Sequence, residues 1–231
     1  AAAASRRLRE ILERQRNAHL HDGPPSASQR IAWLDRLIAS LIQHETAIVD
    51  ACVADFGHRS RDMSRWTEVA AVIETAKYCK KRVRSWMKPE KRSPASPLGL
   101  LGAKAEVRYQ PLGVVGIVSP WNFPVNLAFG PLVGALSAGN RAMIKPSEVA
   151  PASAEAIADV VRKAFDDTEV AVVNGGPEVG QAFTRLPLDH LVFTGGAAVA
   201  RHVMRAAAEN LVPVTLELGG KCPVVVGKGA D

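Results

Sequence analysis

Two side chains in this sequence have the type and setting for oxyanion and acid–base chemistry. Glu217 closes the apolar run Val214-Thr215-Leu216 and is followed by Leu218-Gly219-Gly220-Lys221. A carboxylate at the C-terminal end of a short β-type segment stands where open α/β sheets bind ligands, and it can act as a general base. The glycines after it permit a sharp turn and a close approach of ligand to backbone. Asn122 lies in Ser119-Pro120-Trp121-Asn122-Phe123-Pro124, after the apolar run Val114–Val118. Its amide carries two N–H donors, and a loop stiffened by proline suits an oxyanion that forms only during reaction. The same side chain equally suits the cap of the helix that follows.

Two more loops carry groups suited to a nucleotide. Lys145-Pro146-Ser147-Glu148 follows the run Ala142-Met143-Ile144. Lys145 can meet a ribose or phosphate, and Glu148 can accept from ribose hydroxyls. Taken alone, a surface turn capping the next helix is the simpler explanation. Phe193-Thr194-Gly195-Gly196-Ala197 runs from an apolar segment into a helical one. Glycines there expose backbone amides, and a helix start favours an anion such as a pyrophosphate. The glycine fingerprint G-x-G-x-x-G occurs nowhere in the sequence.

The elements that must position these loops follow from apolar spacing. Residues 5–20 form a short helix with Leu8, Ile11 and Leu12 on one side, broken by Asp22-Gly23-Pro24-Pro25. From Ser28 a long helix buries a face that includes Leu34, Ile38, Leu41, Ile42, Ile48 and Cys52, and it ends at Gly57. A second, marked by Trp66, Val69, Ile73, Ala76 and Val83, stops at Pro89. Residues 89–101 read as a linker, and 102–111 alternate in polarity as an exposed strand or hairpin arm does. Beyond Pro111, apolar runs at 114–118, 142–144, 170–173, 190–193 and 214–216 alternate with helical stretches. That alternation gives an α/β fold with a parallel sheet.

Composition narrows the class. The chain has 231 residues, 47% hydrophobic, enough for one large domain or two small ones. The net charge of +6 is concentrated in the first 110 residues, with a basic cluster between Lys77 and Arg92. Only Tyr78 and Trp86 interleave with those charges, so a solvated helix face is favoured over nucleic-acid binding. Cys52, Cys79 and Cys222 lack disulfide or metal spacing, which points to a reducing, cytoplasmic setting. The apolar stretch 123–139 contains two prolines and reads as a buried helix with its entry turn, not a membrane span.

The order and spacing of these segments resemble one family. Pro111-Leu112-Gly113-Val114-Val115-Gly116, Pro120-Trp121-Asn122-Phe123-Pro124, Ala138-Gly139-Asn140, Lys145-Pro146-Ser147-Glu148, Phe193-Thr194-Gly195 and Leu216-Glu217-Leu218-Gly219-Gly220-Lys221 are similar to the N-terminal, cofactor-binding part of aldehyde dehydrogenases. The stretches Val203–Leu211 and Pro213-Val214-Thr215 resemble the fatty and aromatic aldehyde branch, coniferyl aldehyde dehydrogenases most closely.

The resemblance implies a Rossmann-like parallel sheet with flanking helices, preceded by an N-terminal helical region (1–88) and a hairpin arm (within 89–111). The NAD(P)-binding region is then 112–220, and 221–231 begins a catalytic domain that is otherwise missing. It implies a small-molecule aldehyde as substrate and a homodimer or tetramer as the assembled form. Asn122 becomes the side-chain donor to the oxyanion and Glu217 the base that activates water. Ser119, Trp121, Lys145, Glu148, Gly195, Gly196, Val199 and Leu218 become the cofactor site. Glu148 favours NAD over NADP by repelling a 2′-phosphate, and Lys145 weakens that preference.

Three features depart from the pattern. The family reaction needs a cysteine nucleophile a few tens of residues beyond Glu217. Cys222 stands where serine is usual and reads as a buried residue starting a strand, so the chain alone is expected to be inactive. Gly196 replaces a usual serine, which removes a hydroxyl and lowers the expected cofactor affinity. Ala200 replaces a frequent glycine.

Overall fold

The computed structural model describes residues 2–230. The first part is helical: α1 (Ala2–Asp22), α2 (Ala27–Phe56), the one-turn α3 (Arg61–Ser64), a π-helical segment (Arg65–Ala70) and α4 (Ala71–Trp86). Ser26 opens α2 with a capping box. Its hydroxyl accepts from the Gln29 amide, and the Gln29 side chain accepts from the Ser26 amide. This satisfies N–H groups that a helix start otherwise leaves unpaired. Gly57, at φ 70°, closes α2 with its own N–H on the Val53 carbonyl. A positive φ there favours glycine.

Leu34, Leu37, Leu41, Ile48 and Cys52 form the buried stripe of α2. Ile42 and Trp66, expected on buried faces, are 58% and 70% exposed. Ile42 lies about 100° around the helix from Leu41, off the stripe. Trp66 turns outward because the π segment inserts a residue into its turn, and this shifts the helical phase. By length and composition α2 is the one described helix able to cross a membrane, but its apolar stripe lies in the protein core.

A largely exposed antiparallel ribbon follows, β1 (Glu90–Arg92) on β2 (Ala105–Val107). β1 and a 3-10 turn (Leu98–Leu101) occupy much of the stretch expected to be a plain linker.

The rest is a βα array: β3 (Val114–Val118), α5 (Asn126–Ser137), β4 (Arg141–Lys145), α6 (Pro151–Ala164), β5 (Val170–Val172), α7 (Pro177–Thr184), β6 (His190–Thr194), α8 (Ala197–Ala208) and β7 (Val214–Glu217). The five strands are parallel in the order β5-β4-β3-β6-β7. The chain builds outward from β3 to β5, then returns to lay β6 on the other side of β3. The crevice between the C-terminal ends of β3 and β6 is the switch point where such sheets bind ligands.

Alternate strand residues feed two cores. Val115, Ile117, Ala142 and Ile144 pack with α2, α4, α5 and α6, while Val114, Met143 and Leu191 pack with α1, α7 and α8. Both faces are covered, so the central strands read as continuous apolar runs. α1 lies on the sheet itself. Its Leu8, Ile11 and Leu12 are buried, and the Gln15 side-chain amide donates to the carbonyls of Ala142 (3.0 Å) and Asp167 (2.9 Å).

Residues 218–230 form neither helix nor strand. Cys222, expected to be buried at the start of a strand, is exposed. The run Val224-Val225-Val226 is exposed too. No strand among the described residues pairs with it, so it gains neither ladder hydrogen bonds nor burial.

Candidate active site

The loops after β4, β3 and β6 leave the sheet side by side and line a cleft of about 810 Å³. Small-molecule sites span roughly 300–1,000 Å³. Ser119 and Trp121 come from the loop after β3, Lys145 and Glu148 from the end of β4 and the loop after it, and Gly195, Gly196 and Val199 from the β6–α8 junction. Leu218, also expected at the cofactor, is not on the cleft wall; it lies beyond β7 and is exposed.

Lys145 is buried, and its ammonium donates to the Pro146 carbonyl (2.6 Å) and the Glu148 carboxylate (3.0 Å). Desolvation pushes the Glu148 carboxyl up. The backbone N–H of its own residue, and the hydrogen bond and charge of Lys145, outweigh that and hold it below the ordinary carboxylate value. The turn does not cap α6. Asp55 of α2 does so, accepting from the Ala152 and Ser153 amides at 3.0 and 2.8 Å. The capping explanation for Glu148 therefore fails.

It fails for Asn122 as well. The first amides of α5, on Val125 and Asn126, donate to one carboxylate oxygen of Glu68 at 3.0 and 2.8 Å. Asn122 is exposed, and its side chain makes no hydrogen bond among the described residues. Its carbonyl accepts from Arg59 Nη1 at 3.0 Å. Glu217 ends β7 opposite Thr194, with its carbonyl accepting from the Gly195 amide at 3.0 Å and its side chain exposed. Neither residue is on the cleft wall. Asn122 follows Trp121 at one rim, and Glu217 is tied to Gly195 at another.

α8 starts differently from α5 and α6. Gly196 is its N-cap in extended conformation, with no side-chain cap. A Cβ at Gly195 would lie 2.6 Å from the Phe193 ring, whereas one at Gly196 would meet nothing within 4 Å. The first amides of α8 thus stay available beside the cleft, a setting that favours an anion. The buried Ser119 hydroxyl, on the same wall, has no hydrogen-bond partner among the described residues. Such a group costs about 1–3 kcal/mol until a partner arrives. These features fit a dinucleotide.

The sequence reading missed the opposite wall. Pro177, Gly180, Gln181 and Thr184 of α7 line the cleft, as do His202 and Ala206 of α8. The signal was available: 177, 180, 181 and 184 recur at three and four, one face of a helix. None of the three cysteines lines the cleft. Burial pushes the Cys52 thiol up to about 11, Cys79 is buried in the same core, and Cys222 is exposed beyond β7.

The sequence model described as "Aldehyde dehydrogenase family" matches residues 3–231. The chain is 57% identical over 225 residues to a "Probable coniferyl aldehyde dehydrogenase" of Caulobacter vibrioides, covering 97% of this chain and 46% of that protein. It is 50% identical over 231 residues to the coniferyl aldehyde dehydrogenase of a Pseudomonas species, covering 100% and 47%. The structure superposes on substrate-bound AldH of Staphylococcus aureus with a TM-score of 0.88 at 34% identity, over 96% of this chain and 48% of that one. An NAD+ complex of aldehyde dehydrogenase from Bacillus cereus gives 0.82 at 25% identity, over 98% and 46%. The chain spans about half the length of the curated relatives it matches. On the family match and these identities, carried across nearly every residue of the fold just described, the chain belongs to the aldehyde dehydrogenase family.

Proposed function

We propose that this chain forms the NAD(P)-binding part of an enzyme that oxidises an aldehyde to its carboxylic acid, with coniferyl or a related aromatic or fatty aldehyde as substrate. One observation carries the reading: seven of the residues expected at the cofactor converge on a single cleft at the switch point of the sheet. When bound, the nicotinamide cofactor supplies the hydride acceptor. The chain's residues bind and orient. The α8 amides at Gly196 and beyond face the pyrophosphate, Ser119 offers its unpaired hydroxyl, and Lys145 with Glu148 takes the ribose. The ionised Glu148 favours NAD, and its pairing with Lys145 tempers the repulsion of a 2′-phosphate.

Asn122 donates a hydrogen bond to the aldehyde oxygen as negative charge grows on it. Glu217 takes a proton from the water that releases the acid. The thiol that attacks the aldehyde comes from outside residues 1–231, since Cys52, Cys79 and Cys222 stand away from the cleft. The assembled enzyme is a cytoplasmic homodimer or tetramer. A second reading, a dinucleotide-binding module without chemistry, draws on the same absence of a thiol at the cleft.

Calorimetric titration with NAD and NADP tests the binding reading, and aldehyde turnover by the full-length gene product separates the two. NAD should bind more tightly than NADP. Lys145→Ala, by removing a buried cation from the site, should weaken binding by more than roughly tenfold. A folded chain that binds neither nucleotide sinks both readings.

A further inference from the structure

The loop that carries Asn122 is held by residues outside the chemistry just described. Glu68 is fully buried in the π-helical segment. One of its carboxylate oxygens takes the first two amides of α5, and the other lies 2.6 Å from Arg59 Nη2 as an ion pair. Arg59 places its other terminal nitrogen on the Asn122 carbonyl at 3.0 Å, and Nη2 also reaches Thr67 Oγ1 at 3.1 Å. The guanidinium carbon lies 4.9 Å from the ring centres of both Phe56 and Phe123. The Phe56 ring centre is in turn 6.2 Å from that of Trp121.

The π turn has a part in this. The Ala71 amide bonds to the Trp66 carbonyl, one residue further back than an α-helix allows. The Thr67 carbonyl is thereby free, and Asn126 Nδ2 donates to it at 2.6 Å. The loop is therefore gripped before its turn at Asn122 and after it at Val125 and Asn126. Between these grips the Asn122 side chain makes no hydrogen bond among the described residues.

We propose that Arg59 and Glu68 are positioning residues that set Asn122 for oxyanion stabilisation, an inference that rests on the role given to Asn122 above. Arg59 fixes the peptide of Asn122 through the planar fork of its guanidinium, and Glu68 fixes both the fork and the start of α5. Donors act on a developing charge only when they are already in place, and a misplacement of about 1 Å can lower a rate by roughly a hundredfold.

The test uses four variants of the full-length gene product, two of them at Arg59. Arg59→Lys keeps a charge beside Glu68 but loses the fork. Arg59→Met/Glu68→Gln removes both charges together, so neither is stranded in the interior, and the new side-chain oxygen still accepts from the α5 amides. In each, kcat for aldehyde oxidation should fall about ten- to a hundredfold, while KM for the nicotinamide cofactor stays within about twofold. Glu68→Gln alone keeps the Arg59 bond to Asn122 but loses the charge that holds the fork, so its kcat should fall by less than in either Arg59 variant yet stay below wild type. A merely structural role would lower the amount of folded enzyme without this split. Wild-type kcat in either Arg59 variant, while Asn122→Ala is impaired, overturns the positioning role alone. Wild-type kcat in Asn122→Ala overturns the oxyanion reading and the positioning role with it.

Discussion

Among the helices that start beside the cleft, α5 and α6 start in one way and α8 in another, and α7, opened by Gly176 without a side-chain cap, shares the second. α5 and α6 are closed by carboxylates reaching over from the N-terminal helical region, Glu68 and Asp55. α8 begins at Gly196 with no side chain on its amides. Every helix start carries unpaired N–H groups and partial positive charge. An internal carboxylate neutralises that end and locks it in place. A glycine leaves the same groups open to an anion from solution. The two kinds of start sort the loops. Those after β3 and β4 carry side chains, Asn122 on a peptide held by Arg59 and the paired Lys145 and Glu148, whereas the loop after β6 offers backbone.

If the closed ends are structural, losing their carboxylates affects folding first. Glu68→Ala strips two amides of their acceptor and leaves Arg59 unpaired in the interior, so unfolding free energy should drop by roughly 3–5 kcal/mol. Asp55→Ala removes a cap at a half-buried position and should lower it by about 1 kcal/mol. Urea melts followed by circular dichroism measure both. A Glu68→Ala loss no larger than that of Asp55→Ala would break the distinction between a buried ion pair and an ordinary cap.

The open end is sharpened by two substitutions that cap equally well. Ser and Asp are both good N-cap residues, Gly196 has the extended backbone they need, and the space around it is free. Either should stabilise the fold by only a few tenths of a kcal/mol. They differ at the cleft. The serine hydroxyl can still donate to a phosphate, and NAD affinity should shift by no more than about twofold, since 1.4 kcal/mol is tenfold. The aspartate carboxylate occupies the anion's place, and its repulsion should weaken NAD more than roughly tenfold. Equal NAD affinity in Gly196→Ser and Gly196→Asp would show that no anion sits at the start of α8.

The open end was legible in the sequence, and the closed ends were not. Thr194-Gly195-Gly196 stands directly between an apolar strand and a periodic helix, so neighbours alone announce a helix start without a cap. The Ser119–Asn122 and Lys145–Glu148 loops were found for the same reason. Each follows an apolar run, and the C-terminal edge of a parallel sheet is where ligands bind. Glu68 and Asp55 act on amides 57 to 58 and 97 to 98 residues away. On a helix-spacing argument Glu68 is one more polar residue beside Val69. The π turn that frees the Thr67 carbonyl has no residue signature of its own. Cys222 misled for a related reason: Pro223-Val224-Val225-Val226 has the composition of a strand, but a strand also requires a neighbour to pair with.

The finest distinction between the closed end and the cleft is one of sign in pH. Burial pushes the Glu68 carboxyl above its ordinary value, against the pulls of the Asn126 amide, the Arg59 charge and the Val125 amide. A raised value means that the folded protein holds this proton more tightly than the unfolded chain. From the unfolded value near 4.3 up to the raised folded one, the folded state binds more protons, and stability falls as pH rises. Glu148 runs the other way, because its folded value is lowered. Its contribution is present above about pH 4.3 and is lost as pH falls through the folded value. It is the smaller of the two, since its partly exposed carboxylate is screened by solvent. Unfolding free energies of the wild type and of Arg59→Met/Glu68→Gln should therefore diverge in the variant's favour as pH climbs above about 4.3, then run parallel once Glu68 is ionised in both states. Glu148 is common to both proteins and cancels from the difference. A difference that drifts toward the wild type would mean that the buried carboxylate gains more from its amides and Arg59 than it loses by leaving water, and a flat one that the two balance.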